Sequence, residues 1–104
     1  MKWETHSAFD ADLRRLSPEE LERFRGMVRG RFAPAADRIA TDPAVKWPGS
    51  LRVKDVEGAP GIWEMTWAWP DGRATFQWIK IDGELAIRWR RVGGHEILKD
   101  PARE

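Results

Sequence analysis

Apolar residues recur every three to four positions up to about residue 41, and every second position from about residue 48. That change of period divides the chain into a helical part and a strand part. Phe9, Leu13 and Leu16 share one face of a helix predicted over 7–16. Ser7 reads as its N-cap, answered three residues on by Asp10. Ser17-Pro18-Glu19-Glu20 is a stronger start signal: Ser17 caps, Pro18 takes the first helical position and Glu20 completes a capping box. The second helix is predicted from about Pro18 to Phe32, with Leu21, Phe24, Val28 and Phe32 as its apolar stripe. So short a connection predicts an antiparallel helical hairpin. Pro34 is expected to break or kink the second helix, with a further turn over 35–40 and an end at Asp42-Pro43.

In the strand part, Leu51 and Val53 alternate with Arg52 and Lys54. The segment 57–61 is a turn. In 62–69, Trp63, Met65, Trp67 and Trp69 point one way, and Ile62, Glu64, Thr66 and Ala68 the other. Pro70-Asp71-Gly72 and Asp82-Gly83 read as hairpin turns, the first with a positive φ expected at Gly72. They join strands predicted over 73–81 and 84–92. Gly93-Gly94 ends the last of these, and a short final strand is expected over 95–98. A weaker signal at Trp3 suggests a first strand joining a sheet edge. Helices followed by strands argue an α+β domain over residues 1–104: a helical hairpin (about 7–41) packed on a three- to four-stranded antiparallel sheet (about 50–98).

Composition narrows the chemistry. The 104 residues include no Cys and only two His, His6 and His95. A disulfide framework, a thiolate metal site and a cysteine nucleophile are therefore excluded, and neither a metal nor a cofactor is expected. Net charge is +1, with nine Lys+Arg against eight Asp+Glu in residues 1–50 and nine of each in 51–104. No half is a basic arm, so nucleic-acid binding would have to rest on a local patch. Neither a membrane span nor an export-type N-terminus is legible, which predicts a cytoplasmic protein. The unusual count is seven Trp with no Tyr. Most of these tryptophans are expected in the core, while Trp47 and Trp69, beside prolines, are candidates for exposed stacking platforms.

With the helices on the Leu/Trp-rich face, the other sheet face would carry Arg52, Lys54, Glu64, Thr66, Arg73, Thr75, Gln77, Arg88 and Arg90. The glycine pair would swing His95 toward the same end. Cations of this kind bind phosphate and stabilise charge on a transferred phosphoryl group. Glu64 or His95 could act as base and acid toward a ribose 2′-OH and a leaving 5′-oxygen.

The ordered series HSAFDADLRRLSPEELERFRG, Asp42-Pro43, SLRVKDVEG, GAPGIWEMTW and DGRATFQWIKIDGELAIRWRRVGGHEI resembles the RelE/ParE superfamily, toxins of bacterial type II toxin–antitoxin systems, over about residues 7–99. The resemblance implies a RelE-like fold, a cognate antitoxin as partner, and an endoribonuclease (mRNA interferase) that cuts mRNA at the ribosome without a metal. It implies catalytic roles for Arg73, Glu64, His95 and Lys54, and RNA binding by Arg52 and by Arg88 or Arg90. With no Tyr in the chain, a mechanism that uses a terminal tyrosine does not carry over. Two other functions share the fold: a ParE-like inhibitor of DNA gyrase that cleaves nothing, and a non-toxic interaction module.

Overall fold

The computed structural model describes residues 1–104. Strand β1 (Lys2–Thr5) leads into α1 (Ser7–Arg15) and α2 (Pro18–Met27); a π turn (Val28–Phe32) joins α2 to α3 (Ala33–Thr41). A 3₁₀ turn (Gly49–Leu51) precedes β2 (Lys54–Asp55), β3 (Trp63–Ala68), β4 (Gly72–Ile81) and β5 (Glu84–Gly93), and a second 3₁₀ turn spans His95–Lys99. The strands form one sheet in the order β1-β5-β4-β3-β2.

The domain is α+β, as the change of period predicts, but the sheet is mixed and has five strands. β1 lies parallel to β5, with Trp3 opposite Ile87, while the other three pairings are antiparallel. The two helices do not form a closed hairpin either: α1 packs on β5 and α2 on β3. They meet through Phe9 and Phe24, whose rings lie 6.0 Å apart.

Local signals explain most boundaries. The capping box of α2 forms as read, with Ser17 and Glu20 each accepting from the other's backbone N–H. The cap of α1 is His6 rather than Ser7: its Nδ1 accepts from the Ala8 N–H at 3.1 Å. Pro34 neither breaks nor ends the helix. A proline lacks an N–H, and its ring crowds the carbonyl four residues back. The π turn widens the helix at that point, with the Ala33 N–H donating to Val28 O, and the chain continues into α3.

The segment around Arg52 departs from the alternating strand. Leu51 is drawn fully into the core by the 3₁₀ turn, and Arg52 follows in the left-handed region at φ 49°. Regular pairing begins only at Lys54. The final strand expected over 95–98 is the second 3₁₀ turn. Gly72 is needed for room rather than for φ, because a Cβ there would lie 2.9 Å from both Ala68 Cβ and Trp67 Cε2. Asp82-Gly83 does take positive φ at both positions, 52° and 79°, which suits a two-residue hairpin.

The core lies between the helices and one sheet face. Phe9, Phe24, Val28, Phe32 and Ala36 meet Met65, Trp67, Ala74, Phe76, Ile87, Trp89 and Val92 there. Trp47 belongs to this core, stacked on Phe32 at 5.0 Å. The opposite sheet face is not open, as the sequence suggests. The C-terminal segment crosses it: Thr75 Oγ1 donates to Pro101 O at 2.7 Å and Arg90 Nη2 to Ala102 O at 2.9 Å. No helix is long and apolar enough to cross a membrane.

Candidate functional site

Two β-bulges decide where the site residues point. On β5, Thr75 pairs with Arg91 and Phe76 with Trp89, so Arg90 is the extra residue. A bulge shifts the alternation by one, which lets Trp89 and Val92 share the core face although three positions separate them. Arg90, between them, lies under the C-terminal segment. On β3, Thr66 pairs with Arg73 and Ala68 with Gly72, leaving Trp67 as the extra residue. Trp67 Nε1 donates to Arg73 O at 2.9 Å, locking the base of the β3–β4 hairpin.

Beside that hairpin, Arg52, Val53, Lys54, Glu64, Thr66, Trp69 and Arg73 line a groove of about 310 Å³. Four of the seven residues singled out from the sequence thus meet in one place. Glu64 and Arg73 form its floor. Their side chains are only 9% and 11% exposed, and Arg73 Nε sits 3.7 Å from Glu64 Oε1. The hairpin turn holds the guanidinium from behind: Nη1 donates to Pro70 O at 2.9 Å and to Gly72 O at 3.1 Å. Lys54 is exposed on β2 directly across from Glu64. Arg52 lies over the ring of Trp69, its guanidinium carbon 4.1 Å from the centroid. A buried carboxylate beside a fixed guanidinium, with two further cations at the rim, is a set suited to a phosphodiester.

The other three residues lie elsewhere. Arg88 is paired with Glu4 of β1. Arg90 is buried, donating to Gln77 Oε1 at 2.7 Å and Glu104 Oε1 at 3.0 Å as well as to Ala102 O. The bond from Arg90 holds the Glu104 carboxyl below the usual carboxylate range. His95 is exposed at the start of the last 3₁₀ turn, where its backbone N–H donates to Asp71 Oδ1 at 3.0 Å. It does not line the groove.

One charged pair went unread in the sequence. Asp12 and Arg91 are both buried. Asp12 accepts from Arg91 Nε at 2.6 Å, from Arg91 Nη2 at 3.1 Å and from the Val92 N–H at 3.1 Å. The hydrogen bond to Asp12 raises the Arg91 pKa further above its already high value. The available signal was position: Phe9, Asp12, Leu13 and Leu16 fall at i, i+3, i+4 and i+7, so Asp12 sits in the apolar stripe.

The architecture, three helices on a mixed five-stranded sheet, has a counterpart among solved structures. No family model matches the sequence, and no curated protein matches it. A chain of the E. coli DinJ–YafQ complex shares the fold, with a TM-score of 0.51 over 93% of this chain and 96% of that one, at 14% identity.

Proposed function

We propose that this protein is the toxin of a type II toxin–antitoxin pair and that it cuts mRNA at the ribosome in the Glu64–Arg73 groove. The observation that carries the reading is the convergence of Arg52, Lys54, Glu64 and Arg73 on one groove, from three segments separated in sequence. Arg73 binds the scissile phosphate and stabilises charge as it develops. Glu64 takes the proton of the ribose 2′-OH. The 2′-oxygen bonds to phosphorus, the bond from phosphorus to the 5′-oxygen breaks, and the products are a 2′,3′-cyclic phosphate and a 5′-hydroxyl. The 5′-oxygen takes its proton from Lys54 or from water. One carboxylate among several cations favours phosphate over a divalent metal as the occupant, which supports a metal-free route. His95, outside the groove, has no part in this scheme. The DinJ–YafQ neighbour is a complex, which supports a cognate antitoxin as partner of this chain.

The test is induced expression in bacteria, wild type beside Glu64→Gln, with growth curves and mapping of mRNA 5′ ends on translating ribosomes. General base catalysis contributes roughly 10²–10⁴-fold, so the variant should lose at least about a hundredfold in cleavage while remaining folded. Cleavage ends that persist in the variant remove Glu64 from the chemistry. Growth arrest without new ends moves the protein to an inhibitor that cleaves nothing.

A further inference from the structure

Trp69 is the most exposed large hydrophobic side chain in the protein, at 65%. The other tryptophans of the strand region pack into or against the core. Trp69 stacks on no other aromatic ring and instead takes Arg52 on one face. That contact depends on a backbone found mainly at glycine and asparagine, since Arg52 sits at φ 49°. Non-glycine residues in the left-handed region persist where the surroundings impose them, and they cluster at ligand sites. The ring borders the Glu64–Arg73 groove on one side. On the other it borders a larger cleft of about 540 Å³, which Arg15, Arg23, Asp71 and Glu96 also line. An aromatic face standing between a phosphate-binding groove and a second depression is placed to receive the base attached to that phosphate.

We propose that Trp69 is a base-stacking platform for single-stranded RNA, holding the nucleobase next to the phosphate at Arg73, with Arg52 bracing the ring from behind. The ligand class rests on the RNA-cleaving reading of the groove; the platform itself rests on exposure and placement. Stacking on an aromatic side chain is tolerant of sequence, because every base has a π face. Trp69 therefore sets affinity and the position of the strand more than it reads a sequence. It is a binding residue and takes no part in proton transfer.

The test uses a 5′-labelled oligoadenylate with 2′-deoxy substitutions, which stacks but cannot be cut by 2′-OH attack. Binding at low ionic strength is read by anisotropy of the label and by quenching of tryptophan emission. The wild type should bind with quenching. Trp69→Leu should bind about tenfold more weakly. Trp69→Phe should keep most of the affinity and lose most of the quench, which assigns the signal to this ring. An exposed side chain contributes little to stability, so both variants should keep the wild-type circular dichroism and urea midpoint. A Trp69→Leu variant that binds like the wild type, or a wild type that does not bind the oligonucleotide, overturns the platform; Glu64→Gln on ribosomes then still decides the cleavage reading. Conversely, a quench lost in Trp69→Phe, from a protein that makes no RNA ends in cells, keeps the platform and removes the cleavage.

Discussion

Asp12 of α1 clamps Arg91 of β5 with both carboxylate oxygens, at 2.6 and 3.1 Å, and accepts the Val92 backbone N–H as well. β1 pairs with β5 only as far as Trp89, so beyond that point the β5 edge has no strand beside it. Asp12 supplies the missing acceptor and docks α1 on that edge. Arg91 in turn donates to Asp100 O at 2.9 Å, so one carboxylate ties together the first helix, the last strand and the start of the C-terminal segment.

Asp12→Ala should therefore be among the most damaging single changes outside the apolar core. Breaking a buried pair leaves an uncompensated charge and costs about 3–5 kcal/mol. Here a backbone donor is orphaned too. The measurement is the urea midpoint. A loss under about 1 kcal/mol would show that the pair is dispensable to the fold.

Phe24 and Leu13 lie on the apolar stripes of their helices, yet they should not cost the same. Phe24 is 5% exposed and meets Phe9, Trp67 and Trp89 at 5.6–6.0 Å between ring centroids. Leu13 is only partly buried. Phe24→Ala should cost about 3–5 kcal/mol and Leu13→Ala about 2 kcal/mol or less. Equal losses in chemical denaturation would mean that α1 sits deeper on the sheet than its exposure indicates.

What the sequence could tell followed from periodicity, and what it hid followed from exceptions to it. The capping box at Ser17, the turn at Asp82-Gly83 and the core stripe of Phe24, Val28 and Phe32 are local, and all stand in the structure. Strict alternation on β5 put Arg90 on the face opposite the core, where it lies, but no local pattern reports that the C-terminal segment folds over that face and buries it. The bulge at Arg90 likewise leaves no mark in the apolar positions. Pairing of β1 with β5 links residues more than eighty apart, and no local rule reports it. Glu64 and Arg73 fell on the expected strands, but their burial did not follow from sequence. It arises because the turn at Pro70–Gly72 folds its carbonyls onto the guanidinium.

That burial separates two substitutions at Arg73. Arg73→Ala would strand Glu64 among buried atoms, so lost activity in that variant would mix catalysis with unfolding. Arg73→Lys keeps the charge and gives up the planar fork that holds the Pro70 and Gly72 carbonyls and a phosphate at once. Its unfolding free energy from urea denaturation should fall by about 1 kcal/mol or less, while cleavage on ribosomes falls about tenfold or more. Cleavage at the wild-type rate in Arg73→Lys would reduce the arginine to a point charge.

The tether of the C-terminal segment should respond to acid. Glu104 is fully exposed, and its carboxyl is held below the usual range first by the hydrogen bond from Arg90 and then by the charge of Arg90. A carboxyl depressed in the folded state stabilises the contact above its ordinary pKa, and the contribution is lost as pH falls through the lower folded value. The contact should therefore be intact at neutral pH and weaken only below the ordinary glutamate range. Following the Glu104 carboxyl by NMR through an acid titration checks this: its midpoint should lie below that of an unpaired glutamate, and Arg90→Gln should return it to the ordinary value. A midpoint unmoved by that change would assign the depression to His6, whose Nε2 lies 3.5 Å from the other Glu104 oxygen.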